Sequence, residues 1–188
     1  MGITVKYKVI IDPNIKYDVN KLKKFIKKVI HDPKGMRVLF GKGLRLIEVN
    51  DNDVKMTINL VSNNDVERIC GFDLLSCADR TNGNIYLNWT RWDEGSDVFF
   101  DGLWGKYAKM NKKDKLDLYR TYVVNHEILH ILGFVHPPDK ERFDGKNASV
   151  MAQQTIDLRG GRSWWYPVKS DKKYFKYYHY NQFDGLNI

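Results

Sequence analysis

Residues 126–136 read His126-Glu127-Ile128-Leu129-His130-Ile131-Leu132-Gly133-Phe134-Val135-His136, and this run holds three of the five histidines of the 188-residue chain. Side chains four apart on an α-helix are separated by about 400° of rotation, so His126 and His130 stand ~40° apart on one face, one turn above the other. Both imidazoles can therefore reach one ion. Gly133 can adopt the left-handed conformation that ends a helix, and the chain then returns to deliver His136 from a direction no helix could supply. Three nitrogen ligands leave a fourth position for water. That is the pattern of a catalytic zinc site, because structural zinc sites close all four positions with protein ligands. Any fold for this sequence must contain a helix that stops near Gly133 and a loop that folds back over its end.

The chain length suits one compact domain, expected here as residues 1–188, with a sheet and active-site helix in 1–136 and a smaller C-terminal part in 137–188. Hydrophobic residues at 43% and charged residues at 29% are those of an ordinary globular protein, which excludes wholesale disorder. The net charge of +8 favours acidic partners, but the lysines are scattered, so a solvated basic surface is expected and no specific nucleic-acid partner. No run is long and apolar enough to span a membrane, and the N-terminus enters a strand pattern at once. A leader removed beforehand would leave secretion open, and localisation is left unassigned. A monomer is expected. Met1-Gly2 lacks the Ser or Thr at position 6 that myristoylation needs, since Lys6 stands there. Cys70 and Cys77 are either a small disulfide loop or two reduced buried thiols, depending on compartment.

From the N-terminus, Val5, Tyr7 and Val9 alternate with Thr4, Lys6 and Lys8, predicting a half-buried strand over 3–11. Leu22, Phe25, Ile26, Val29 and Ile30 then form the apolar stripe of a helix that Asp32-Pro33-Lys34-Gly35 stops. Two further strands are predicted over 38–49 and 54–61, joined by a hairpin turn at Asn50-Asp51-Asn52-Asp53. A short helical turn over 64–70 precedes an irregular stretch and then a strand over 84–89. Residues 93–109 read as a loop. A long helix starts near Asn111 or Asp114 and carries Leu116, Tyr119, Tyr122 and Val123 into the histidine motif. Trp164-Trp165-Tyr166 is either a wall of the substrate pocket or a segment packed back on the body, and residues 174–180 are expected to pack back.

The HExxHxxGxxH pattern of 126–136 resembles the metzincin clan of zinc metallopeptidases. The flanking residues resemble, more narrowly, a bacterial and mostly secreted domain family of unknown function with predicted metallopeptidase character. The matching pieces are Asp32-Pro33-Lys34-Gly35, Leu87-Asn88, Arg91-Trp92, Gly95-Ser96, Tyr119-Arg120, Tyr122-Val123-Val124-Asn125, Val150-Met151 and Gln153-Gln154-Thr155. The resemblance implies an α+β, metzincin-like zincin. Its twisted mixed β-sheet would pack on an N-terminal helix and a long active-site helix, followed by a small irregular C-terminal subdomain. It also implies that Met151 forms the Met-turn below the metal. The position two residues on, a tyrosine in several metzincins, is Gln153 here, so no tyrosine ligand is implied. Metzincins bind peptide along the strand at the cleft edge, which makes Ile85, Tyr86 and Leu87 candidates for substrate binding by β-augmentation; the alternative is an interior strand.

These readings converge on one expected activity, zinc-dependent endopeptidase cleavage of a peptide or protein substrate. One Zn2+ would sit on His126, His130 and His136, with Glu127 as general base. Two alternatives remain open: a catalytically silent, zinc-stabilised binding module, and a zinc hydrolase of a non-peptide amide such as a cell-wall amidase.

Overall fold

The computed structural model describes residues 2–51 and 53–176, so the expectation for 177–180 falls outside the described residues. Helices pack on a five-stranded, mostly parallel sheet whose strand order is β2-β1-β3-β5-β4. In chain order these are β1 (Ile3–Ile11), α1 (Val19–His31), α2 (Arg37–Phe40), β2 (Leu44–Glu48), β3 (Met56–Val61), α3 (Asn63–Cys70), β4 (Cys77–Asp79) and β5 (Asn84–Asn88). Then follow α4 (Trp89–Glu94), α5 (Asp97–Asp101), α6 (Lys112–Ile131) and a 3-10 turn at Lys169–Tyr174. The mixed α+β class expected from the sequence is therefore present. β1, β2, β3 and β5 pair in parallel, and β4 alone runs antiparallel, against β5.

The alternation in β1 does what period two requires. Val5, Tyr7 and Val9 point into the core in register with Leu46, Met56 and Ile58, while Lys6 lies on the opposite, exposed face. Helix α1 covers the core face with Leu22, Ile26, Val29 and Ile30, and Asp18 caps it by accepting from the Asn20 amide at 2.8 Å.

Two expectations are corrected here. Residues 38–40 are not strand but the end of α2, because Met36, Leu39 and Phe40 bury together at helical spacing and Gly41, at φ 59°, stops the turn. Nor do β2 and β3 form a hairpin. β1 lies between them, and its nine residues accommodate both neighbours in succession, β2 along residues 3–7 and β3 along residues 7–11. The connection therefore crosses β1 without reversing direction, and Lys6 Nζ meets Asp53 at 3.0 Å on the solvent face.

Residues 93–109 are also more ordered than a loop. Asn88 ends β5 and caps α4 by accepting from the Arg91 amide at 3.0 Å, and Ser96 caps α5. Helix α6 starts at Asn111, whose side chain accepts from the Asp114 amide at 2.9 Å. Its second half, from Tyr122 to Ile131, is buried on every side. Residues 137–176 lack regular strands, yet Val150, Met151, Trp165 and Tyr174 join the same hydrophobic core as the sheet.

Candidate metal centre

Helix α6 holds His126 and His130 one turn apart, and its end explains the third histidine. Gly133 donates to the His130 carbonyl and Phe134 to the Leu129 carbonyl, each at 3.0 Å, with Gly133 at φ 100°. This is a Schellman ending, which needs a residue free to take positive φ. The chain leaves it reversed, and His136 meets the other two rings. The three Nε2 atoms lie 3.0 Å (His126 to His130), 2.9 Å (His130 to His136) and 3.3 Å (His126 to His136) apart.

The opposite ring nitrogens fix the tautomers. His126 Nδ1 is 2.8 Å from the Val150 carbonyl and His130 Nδ1 is 2.9 Å from the Phe134 carbonyl. A carbonyl can only accept, so each carbonyl draws the proton to Nδ1 and leaves Nε2 with a bare lone pair, although at His130 the Arg80 guanidinium also lies 3.1 Å from Nδ1. Those two lone pairs face each other at 3.0 Å, and the Nε2 of His136 converges on them. A cation resolves that conflict. Tetrahedral zinc with Zn–N bonds of ~2.0–2.1 Å sets its nitrogens ~3.3 Å apart, close to the spacing observed. Burial, and repulsion from His136, lower His126 to about 3. His136 is lowered to about 4 by burial and then Arg80, and His130 falls well below the usual histidine range, chiefly through burial. All three are neutral imidazoles near pH 7, the form that binds metal.

Glu127 follows the first histidine and lines the same cleft of about 420 Å³. Its Oε2 is buried without a hydrogen-bond partner, and burial raises its carboxyl to about 8 against the opposing pull of Arg80. The neutral carboxylic acid is therefore the favoured form of the metal-free site. Below the first ligand, Val150 and Met151 are fully buried. The Met151 amide donates to Ser149 Oγ at 3.0 Å, and Ser149 Oγ donates to buried Asp171 at 2.6 Å. Gln154 braces the same turn, donating to the Ser149 and Trp164 carbonyls at 3.0 and 2.7 Å and accepting from the Trp164 amide at 2.9 Å.

A family model described as Protein of unknown function (DUF3152) matches residues 3–174, almost the whole chain. The chain belongs to the DUF3152 family. No curated protein matches it.

The structure of this DUF3152 domain brings together His126, Glu127, His130 and His136 as the motif predicts, and three histidines are close enough to hold one ion. It separates other candidates from the site. β5 is an interior strand, paired with β3 on one side and β4 on the other, with Ile85 and Leu87 buried in the core. Ile85 and Tyr86 therefore have no open edge to offer a peptide, and the Leu87 side chain is buried in the core. The edge is β4, and Cys77, Ala78 and Asp79 line the cleft together with Phe72 and Leu75. β4 is short and follows a turn-rich stretch, so its sequence carries no alternation that would mark it.

Trp164, Trp165 and Tyr166 do not line the cleft either. Trp165 is core, packed edge-on against Tyr107, and its carbonyl accepts from Asn125 at 2.8 Å. Tyr166 donates to Asp32 at 2.6 Å. Cys70 and Cys77 are joined in a disulfide with Cα atoms 6.4 Å apart, which ties the end of α3 to the first residue of β4. Arg80 was invisible in the sequence. It lies fifty positions from His130, lines the cleft, and donates to the Phe134 carbonyl at 2.8 Å, the same oxygen that anchors His130.

Proposed function

We propose that the chain is a zinc-dependent endopeptidase of metzincin type. One observation carries the reading: the Nε2 atoms of His126, His130 and His136 converge within 3.3 Å of one another beside the buried Glu127 carboxyl group with its unpartnered oxygen. His126, His130 and His136 would hold the ion. Zinc bound there supplies Lewis acidity, bringing the pKa of a water toward ~7 and polarising a carbonyl.

Glu127 supplies the proton handling. Its carboxylate takes one proton from the attacking water and passes it to the leaving amine, so the peptide bond is exchanged for a carboxylic acid and an amine with water consumed. The α6 helix fixes that carboxylate about 100° around from His126, near the reacting atoms without competing for the ion. β4, the one antiparallel strand and the free edge at the cleft, is the element suited to pair with an extended peptide. Phe72, Leu75 and Val123 give the cleft an apolar lining that would exclude water from the reacting bond.

The test combines metal analysis of the purified protein with a peptide-library cleavage profile, with cell-wall substrates run in parallel. Wild type should hold one zinc per chain and cleave peptides. Glu127→Gln should keep both zinc and fold while turnover drops by about three orders of magnitude or more. Undiminished turnover by Glu127→Gln would remove Glu127 as the base, and cleavage confined to cell-wall amides would favour the amidase reading.

A further inference from the structure

The third ligand is held differently from the first two. His126 and His130 are each fixed by the helix and by a carbonyl on Nδ1, whereas His136 lies in a loop, partly exposed, and no described residue hydrogen-bonds its Nδ1. Its position is set by its backbone neighbours. On the upstream side Arg80 grips the Phe134 carbonyl, and the Val135 amide donates to the Tyr174 carbonyl at 2.9 Å. On the downstream side the guanidinium of Arg159 donates to the carbonyls of Pro137 at 3.2 Å and Pro138 at 2.6 Å, and to Asp139 at 3.2 Å.

Arg159 is also the one non-glycine residue with positive φ among the described residues, at 50°. Left-handed backbone is unfavourable for a side chain with a Cβ and persists only where the surroundings impose it. Here the main chain is imposed upon from both directions: the Arg159 amide donates to Asp157 at 2.7 Å and its carbonyl accepts from Phe143 at 3.0 Å. The next residue is Gly160, so a glycine, which would suit position 159 better, is not what the sequence places there. An arginine at that position makes sense through what its side chain does. One guanidinium nitrogen, Nη1, reaches both consecutive carbonyls while Nη2 reaches the Asp139 carboxylate, so the rigid fork holds carbonyls and carboxylate at once where a lysine would bring a single nitrogen.

We propose that Arg159 is a positioning residue for the metal centre: by clamping the Pro137 and Pro138 carbonyls it holds His136 against the other two histidines, and thereby sets the affinity of the site for its ion. The inference rests on the reading of 126–136 as a metal centre. It links the turn after Met151 to the loop after the third ligand, so that both arise from one packed unit.

The test measures zinc affinity by chelator competition, the visible spectrum of the cobalt-substituted protein, and unfolding in chelator, for wild type, Arg159→Met, Arg159→Lys and Arg159→Gly. Arg159→Met should weaken zinc by tenfold or more on the scale of a lost ligand-supporting interaction and alter the cobalt spectrum. Arg159→Lys should fall between it and wild type. Arg159→Gly relieves the backbone, so it should be at least as stable in chelator as Arg159→Met while binding zinc equally weakly. Wild-type affinity and an unchanged cobalt spectrum in folded Arg159→Met or Arg159→Lys would overturn the proposal. If wild type itself bound no metal, the metal-centre reading would fall instead, and the two failures are told apart by that control.

Discussion

At the residue scale, the histidines and Glu127 pull stability in opposite directions with pH. Each histidine has a folded pKa below its ordinary value of 6.5, with His126 at about 3 and His136 at about 4. Between those values and 6.5 the unfolded chain binds protons that the folded chain refuses, so stability rises with pH over that window. Glu127 is raised from 4.5 to about 8, so over that window the folded chain keeps a proton that the unfolded chain has released, and stability falls as pH rises. Three groups outweigh one below pH 6.5, and only the carboxyl acts above it. In chelator, the melting temperature should therefore climb from pH 4.5 to a maximum near pH 6.5 and decline toward pH 8. A monotonic rise through pH 8 would show that Glu127 is not buried as described. With an ion bound, the acid limb should steepen, because protons compete for the same lone pairs.

At the scale of elements, the cleft is a helix facing a short edge strand, and the strand is the weaker partner. Three residues of β4 pair with β5, and the disulfide anchors its first residue to α3. Closing a loop with a sequence separation of 7 restricts the unfolded chain, and an entropy of this size corresponds to about 2 kcal/mol. The double variant Cys70→Ser/Cys77→Ser should lose about that much stability in denaturant unfolding. If the chain is the peptidase proposed above, the variant should also raise KM for peptide more than it lowers kcat, since Phe72, Leu75 and Ser76 of the closed loop line the cleft while Glu127, His126 and His130 stay on α6. An unchanged KM would place the peptide elsewhere.

At the scale of the whole molecule, the irregular stretch after His136 is bound to the helical body through buried polar groups as well as through the shared core. Gln154 is fully buried and its side chain makes three hydrogen bonds to backbone, while its backbone amide donates to the Tyr122 hydroxyl oxygen at 3.0 Å. Tyr122 in turn donates to the Ala152 carbonyl at 2.8 Å, one turn of α6 before His126. Gln154→Ala would take the partners from the backbone amide and carbonyl of part-buried Trp164, while the Ser149 carbonyl keeps the Ala152 amide, at a cost of about 1–3 kcal/mol. Denaturant unfolding of that variant reads the cost directly, and a loss below about 0.5 kcal/mol would mean that water or a shifted chain satisfies those groups.

What the sequence determined on its own is local. The spacing of His126, His130 and Gly133 fixes one face, one turn and one helix end, and the alternation of β1 and the stripe of α1 follow from the same short-range periodicities. Capping residues such as Asn88, Ser96 and Asn111 act within three positions, so they were readable in principle, and the short helices α4 and α5 were missed for want of a long stripe. Tertiary structure decided what depends on distant partners. It made β5 interior and β4 the edge, because pairing order depends on which strands flank β1. It placed Trp165 in the core and brought Arg80 and Arg159 to the carbonyls on either side of His136. No periodicity encodes a guanidinium fifty positions from the histidine it supports. The histidine cluster is written in the chain, and its walls and supports come from packing.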